Sequence, residues 1–307
     1  MMAVGNETPR VSVIIPHLNT PDFLIRCLTS VRAQVLDHGR FEIIVVDNGS
    51  RTPLDDVKAA FPTVQFALEP QPGPGLARNL GIKLARAPAL AFIDADCHAE
   101  PNWLQSAVNA VESAPDRAIF GGEITIETAD PKRLTQMEAF ERVFSFRQQM
   151  YIKKRHFSVT ANLAISASVA QAVGPFGDVN MAEDIDWGRR AYAAGYPTRY
   201  EPRMRVWHPA QRDFDALVRK WRRIMSHDYN EHVSSGRPMW RWYLLTAIVA
   251  LSVIPDGLRL FASPKISGLG NRWRGVQMLA KIRLFRAREM LQMTNAAHHS
   301  SAVFWNR

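Results

Sequence analysis

The run Ala89-Leu90-Ala91-Phe92-Ile93 ends in Asp94-Ala95-Asp96. Unbroken apolar residues of this length read as a strand buried on both faces, as in parallel sheets covered by helices. Ligands in such sheets gather beyond the carboxyl ends of the strands, where the two aspartates fall. Side chains two apart on a strand share a face, so the spacing predicts that Asp94 and Asp96 reach toward one point. Two hard oxygen donors at one point suit Mg²⁺ or Mn²⁺ held against a diphosphate.

The segments before this run repeat its plan. Arg10–Ile15 and Phe41–Val46 read as buried strands, the first stopped by Pro16 and the second ending in Asp47-Asn48-Gly49-Ser50. Val64–Leu68 is a weaker strand. Helical spacing follows each one: Pro21–Gln34 with a first-turn proline, a short helix after residue 52, and Gly75–Arg86 with Arg78 and Asn79 in its early turns. Alternating strand and helix predicts a doubly wound, mostly parallel α/β sheet. Asn19, Asp47 with Asn48, and Asp94 with Asp96 then share one edge. Neither Gly-x-Gly-x-x-Gly after the first strand nor Gly-x-x-x-x-Gly-Lys occurs, which argues against Rossmann dinucleotide binding and P-loop chemistry.

Further along, Pro101–Ser113 reads as a helix and Ala118–Ile126 as a strand containing Gly121-Gly122. Paired glycines in a strand signal close approach of another group. Arg133–Tyr151 reads as one aromatic-rich helix. Phe157–Ile165 sets Thr160-Ala161-Asn162 in an apolar context, where polar side chains need partners. Met181–Ala194 is a second charged centre: Glu183, Asp184 and Asp186 crowd a helix start and Arg189-Arg190 follow. Acidic residues are favoured there by the helix dipole alone, by about 0.3–1 kcal/mol each. Tyr200–Val206 reads as a last strand, followed by Trp207-His208-Pro209.

Charge divides the chain. Residues 199–307 hold 19 Lys+Arg against 7 Asp+Glu, while residues 1–198 hold 19 against 22. A mildly acidic α/β part is thus followed by a basic tail, suited to nucleic acid, an anionic membrane or a partner. Zinc-finger and aromatic RNA-binding patterns are absent, so nucleic acid is not the expected partner. The two cysteines, Cys27 and Cys97, form no disulfide or metal-ligand spacing, and a reducing compartment is expected. Met1–Arg10 lacks the apolar core of a signal peptide.

Taken in order, VSVIIPHLN, EIIVVDNGS, GLARNLGIKLA, LAFIDAD and AEDIDWGRR resemble the family 2 glycosyltransferases of the GT-A fold, over about Val11 to His208. The resemblance implies a GT-A catalytic domain over residues 1–210, with a nucleotide-sugar half at about 10–98 and an acceptor half at about 99–210. A basic helical extension would occupy 211–307. It implies an inverting enzyme that moves a sugar from a nucleotide-diphosphate sugar to an acceptor hydroxyl, with Mg²⁺ or Mn²⁺. Asp47 maps to the nucleobase contact and Arg78 to the nucleotide, with Pro16, Asn19 and Ala95 beside them. Asp94 and Asp96 map to ribose and metal–diphosphate, and His208 to completion of the metal shell. Asp184 maps to the general base and Glu183 to its support. The family's usual Asp-Asp-Gly-Ser is Asp47-Asn48-Gly49-Ser50 here. Candidate acceptor contacts are Gly121, Gly122, Thr160, Asn162 and Trp187.

The chemistry asks for the same division of labour. A departing diphosphate needs its charge neutralised, and an attacking hydroxyl must give up its proton to a base. A sugar nucleotidyltransferase would share the α/β half, but its Gly-rich basic loop has no counterpart in Pro16-His17-Leu18-Asn19. A basic nucleic-acid or membrane-binding protein on the same scaffold is the non-enzymatic alternative.

In the tail, Phe214–His232 reads as a basic helix. Trp242–Ile254 is apolar but short of the ~20 residues needed to span a bilayer. Asn271–Met293 carries Trp273, Val276, Ala280, Leu284, Ala287 and Leu291 on one stripe, flanked by Arg274, Lys281, Arg288 and by Arg272, Arg283, Arg286. Arginine rows beside an apolar stripe suit an anionic interface. The expectation is a peripheral protein on the inner face of the cell membrane, with a glycan or lipid-linked glycan acceptor.

Overall fold

A computed structural model describes residues 8–178, 182–211 and 214–294. The chain divides into two units, Met1–Thr125 with Phe146–Pro209, and Ile126–Ser145 with Ala210–Arg307.

The first unit opens with β1 (Val11–His17), α1 (Pro21–Arg32), β2 (Phe41–Asp47), α2 (Asp55–Ala60), β3 (Gln65–Leu68), α3 (Pro74–Leu84) and β4 (Ala89–Ile93). The short β5 (His98–Ala99), α4 (Trp103–Glu112) and β6 (Ile119–Glu127) follow. Beyond α5 (Gln136–Phe144), which belongs to the second unit, come α6 (Gln148–Arg155), β7 (Asn162–Ser166), α7 (Ala167–Val173), α8 (Glu183–Ala193) and β8 (Arg199–Pro209).

The eight strands form one sheet in the order β3-β2-β1-β4-β7-β6-β8-β5. β3, β2, β1 and β4 run parallel, and β4 pairs antiparallel with β7 through Ile93 opposite Asn162. β6 pairs antiparallel with β7, and β5 with β8. The expected doubly wound plan therefore holds for the parallel half, while the later strands make the sheet mixed. Parallel strands need both faces covered. Accordingly Val11, Val13 and Ile15 pack on one side with Leu24, Leu28, Trp103 and Leu104, and Ile14 and Phe92 on the other with Trp187 and Phe176.

α3 starts from Gly73 at φ 145°, a conformation L side chains rarely adopt, with Pro74 in the first turn. Its Gly81 lies against Ile14, where a Cβ would fall 2.4 Å from a methyl carbon. That contact seats α3 flush on β1 and fixes where Arg78 points.

The expected single helix over Arg133–Tyr151 is two, α5 and α6, parted where Phe146 adopts φ 46°. α5 has a capping box between Thr135 and Glu138. The second unit joins α5 to α9 (Phe214–Ser234), α10 (Met239–Leu251), α11 (Val253–Ala262) and α12 (Leu269–Gln292). Met278, Leu279 and Ile282 of α12 pack with Met137 and Phe140 of α5 and Leu217 of α9. Trp242 of α10 packs with Met225, Tyr229 and Met290. Met239–Ala262 is long and apolar enough to cross a membrane by length and composition, unlike the shorter run expected from sequence.

Candidate active site

The two aspartates that end β4 are in a turn, not on the strand. The Cys97 N–H donates to the Asp94 carbonyl at 2.9 Å, closing Asp94–Cys97 into four residues. The strand alternation expected to aim both carboxylates at one point does not extend past Ile93. Asp94 and Asp96 accordingly engage different partners.

Asp94 Oδ1 accepts from Arg78 Nη2 at 2.7 Å, and Arg78 Nη1 donates to Glu183 Oε1 at 3.0 Å. Arg78 is 3% exposed. Burial works against its charge, but Asp94 and Glu183 outweigh burial and hold the guanidinium above its ordinary value. Arg78 Nε is buried with no hydrogen-bond partner among the described residues. A planar fork can join two carboxylates from separate elements, which a lysine could not do in the same way. Helix α3, the turn after β4 and helix α8 thereby converge on one cation.

Asp184 follows Glu183 in the first turn of α8. Its Oδ1 accepts from the Ile185 N–H at 2.8 Å. Burial and the neighbouring Glu183 charge push its carboxyl up to about 6, against the opposing pull of the Ile185 bond and Arg78. A carboxylate with affinity for a proton near neutrality, beside a cation that fixes its neighbour, is suited to base work. Met181, at the head of the expected helix, lies outside the described residues.

Asp96 faces His208 of β8, with Nε2 3.3 Å from Oδ2. His208 Nδ1 lies 2.7 Å from the Pro209 carbonyl, which can only accept. The Pro209 carbonyl thus takes an Nδ1–H, and Nε2 faces the Asp96 carboxylate. A carboxylate oxygen and an imidazole nitrogen facing each other could hold a divalent cation. Cys97 Sγ completes a close group with these atoms. However, burial and the Asp96 and Asp94 charges push its thiol up, so it stays protonated and donates toward Asp96 Oδ1. Asp96 and His208 are the groups of this set with a free pair to offer a cation. Asp94, expected among the ligands, lies outside that close group, and its Oδ1 accepts from Arg78. Burial also raises the Asp96 carboxyl, with His208 opposing and Asp94 adding. Phe146 packs its ring against His208, centroids 4.6 Å apart.

At the ends of β1 and β2, Asp47 is fixed by residues the sequence reading did not single out. Ser50 donates to Asp47 Oδ1 through both Oγ and its N–H. His17 is buried. It accepts the Thr20 N–H on Nε2 at 3.2 Å, so its proton sits on Nδ1, 3.4 Å from Asp47 Oδ1. Burial lowers the His17 value and Asp47 pulls it back, leaving a neutral donor. Asn19, at φ 57°, accepts from the Arg51 N–H and donates its own N–H to Ser50 Oγ. Pro16 lies on β1 beside these groups, and Ala95 is buried in the aspartate turn.

Asn48 shows why this chain departs from a second aspartate. Its amide donates to the carbonyls of Glu69 and Gln71, and its oxygen accepts from the Gly73 N–H at 2.7 Å. A carboxylate would face two carbonyls with no proton to give. The clamp holds the loop that enters α3. Asn79 makes a matching pair with the backbone of Phe176, and a Cβ on Gly75 would fall 2.1 Å from the Gly177 carbonyl. α3 therefore holds residues 175–177, upstream of α8, as well as Glu183.

The five candidate acceptor contacts, Gly121, Gly122, Thr160, Asn162 and Trp187, are all buried. Asn162 is fully buried. It accepts from Trp103 Nε1 and donates to the carbonyls of Glu123 and Met204. Gly122 lies against Asn162 and the Met204 carbonyl, and Gly121 against Ser158. Thr160 is buried. Trp187 donates to the Gly174 carbonyl and stacks on Phe176.

The chain matches the model described as glycosyl transferase family 2 over residues 12–174. It is 32% identical over 222 residues to glycosyltransferase AglE of Haloferax volcanii, covering 70% of this chain and 72% of AglE. It is 28% identical over 219 residues to the pre-mycofactocin glycosyltransferase of Mycobacterium tuberculosis, covering 69% of this chain but 44% of that protein. Among solved structures, S. aureus TarS 1-349 in complex with UDP-GlcNAc superposes with TM-score 0.53 at 16% identity, over 66% of this chain and 59% of that one. GalNAc-T7 with UDP, GalNAc and Mn²⁺ gives 0.52 at 16%, over 67% and 45%. These likenesses share the GT-A fold, and the chain belongs to glycosyltransferase family 2.

Proposed function

We propose that this protein transfers a sugar from a nucleoside-diphosphate sugar to a hydroxyl of a glycan or lipid-linked glycan, with inversion at the sugar carbon. The reading rests on one observation above all. Arg78 ties the aspartate turn to the head of α8, which supports placing diphosphate binding and proton acceptance side by side.

In this reading Asp47, oriented by Ser50 and His17, takes the nucleobase, and Asn19 and Pro16 border it. Arg78 and Asp94 take the ribose and sugar side, and Ala95 brings backbone close to the donor. Asp96 and His208 hold a divalent ion, which would offset diphosphate charge and favour its departure. The carboxylate–imidazole set suits Mn²⁺ at least as well as Mg²⁺. Structures of two fold relatives carry UDP or a UDP-sugar, and one carries Mn²⁺.

Asp184 accepts the proton of the acceptor hydroxyl as its oxygen bonds to the sugar carbon and the bond to the diphosphate breaks. Glu183, pinned by Arg78, keeps the head of α8 in place. A single displacement with one base gives inversion. A curated relative is named for glycosyl transfer to pre-mycofactocin and another for succinoglycan biosynthesis. Glycan assembly on the inner face of the cell membrane fits the basic character of residues 210–307, with 16 Lys+Arg against 6 Asp+Glu.

The test is a panel of nucleotide-sugars scored for Mn²⁺-dependent rise in Tm, followed by transfer assays with the best donor. The reading predicts stabilisation by one nucleoside diphosphate and its sugar only with metal present. Equal shifts with and without metal would remove the Asp96–His208 assignment.

A further inference from the structure

α10 and α11 form a nearly continuous run, Met239–Ala262, with mean hydropathy 1.7 and only 22% of its apolar window buried. The packed side is narrow. Trp242, Thr246, Val249, Gly257 and Leu260 turn inward, and Trp242 Nε1 donates to the Met290 carbonyl at 3.0 Å. The other side is bare. Tyr243, Leu244, Ile248, Leu251, Ile254 and Leu258 are 48–69% exposed. A surface helix ordinarily turns such residues to the core, and a contiguous apolar face rimmed by charge marks an interaction surface.

Charge chooses the partner. Arg241 stands at one end of the face, next to an Arg237 paired with Glu231 at 3.7 Å, and Arg259 at the other, all exposed. The acid within the run, Asp256, is paired with Arg283 at 2.7 Å. Trp240, exposed beside Arg241, is a residue type that favours the headgroup level of a bilayer. A two-fold pairing of this face with itself would bring its arginines onto one another, which like-charge repulsion opposes. The inward stripe is already packed, so the run suits lying in an interface rather than spanning it.

The arginine rows of α12 expected to meet lipid are otherwise engaged. Arg283 pairs with Asp256, Arg274 donates to Asn271, and Arg286 is stacked 3.9 Å from the Trp221 ring centre. Burial and the Arg283 charge lower the Arg286 value to about 10. Leu284 and Trp273 remain exposed on α12, but their arginine neighbours are partly drawn inward.

We propose that the outer face of α10 and α11, centred on Ile248, Leu251 and Ile254, is an in-plane docking surface for a bilayer carrying anionic lipid. This rests on the membrane-peripheral part of the function proposed above and names the surface that serves it.

The experiment is co-sedimentation of the full chain with vesicles of phosphatidylglycerol and phosphatidylcholine, against pure phosphatidylcholine, without nucleotide-sugar. The expected result is at least tenfold stronger partition to the anionic vesicles, weakened by salt and not displaced by inorganic phosphate. Ile248→Glu with Ile254→Glu should cut partition at least tenfold, with Tm and donor-induced stabilisation unchanged. Arg241→Gln with Arg259→Gln should cut it several-fold on anionic vesicles only. Equal partition by the parent and the double glutamate variant would overturn the proposal. So would displacement by phosphate, or a dimer in solution that the glutamates break while vesicles go unbound. Vesicle binding is read without turnover, so its failure leaves the sugar-transfer reading standing.

Discussion

Arg78 and Glu183 are 105 positions apart in sequence and joined by a 3.0 Å hydrogen bond. The same guanidinium holds Asp94 at 2.7 Å. A buried charge with two carboxylate partners is costly to form and more costly to break, because losing one member strands the others. The bridge therefore fixes geometry more than it adds stability.

Replacing the bridge separates those roles. Arg78→Met leaves Asp94 and Glu183 without their cation and should cost about 3–5 kcal/mol in urea unfolding. Arg78→Lys restores charge but not the two-pronged reach. It should recover most of that stability while transfer stays down by about 10²-fold, the scale of a misplaced reacting group. Full recovery of turnover by lysine would show that charge alone suffices.

The raised Asp184 value has two consequences of opposite sign. Transfer needs the carboxylate, so kcat/KM should fall as pH drops through about 6. Stability runs the other way. Asp184 holds its proton more tightly when folded, so its contribution is complete below its ordinary value of 3.8 and is lost as pH rises through about 6. Asp184→Asn should therefore unfold about 1–3 kcal/mol harder than the parent at pH 7–8, with the gap closing near pH 4. Denaturant titrations at the two pH values read this directly.

Nδ1 of His208 lies 2.7 Å from the Pro209 carbonyl, which leaves Nε2 facing Asp96, the arrangement proposed to hold the cation. His208→Ala should weaken Mn²⁺ binding by at least about 10–100-fold, since loss of a ligand's outer partner alone costs that much. Donor affinity should recover as Mn²⁺ is raised. Calorimetric titration of Mn²⁺ into both proteins gives the comparison.

Gly122→Ala would place a Cβ 2.3 Å from both Asn162 Nδ2 and the Met204 carbonyl. The expected cost is about 1–3 kcal/mol from overpacking. Acceptor KM should be unchanged in the folded fraction, since these groups are interior. An acceptor KM raised at unchanged Tm would return Gly122 to the substrate.

Much of this was legible in local pattern. Apolar runs with defined stops gave β1, β2 and β4, and the strand ends carried Asp47 and the aspartate pair. What sequence could not give was set by distant partners. The Asp94–Cys97 turn depends on a backbone bond that periodicity does not encode, and it sends the two aspartates to different tasks. His17 looked like a residue following a strand-ending proline, and only the fold sets it against Asp47. Gly121, Gly122 and Asn162 gave a true signal of close approach. Ser158 and Ile152 approach Gly121, while Asn162 and the Met204 carbonyl approach Gly122, and residue type alone does not name such neighbours. In α12 the arginines fell on the expected faces, but Asp256 and Trp221, from other helices, had already engaged two of them.

The most direct test uses Asp184→Asn with donor binding and transfer measured on the same preparation. The account predicts a donor Kd within about twofold of the parent in Mn²⁺ and transfer reduced by at least about 10³-fold, the scale of a lost general base. Near-parental turnover by Asp184→Asn at pH 7.5 would contradict it.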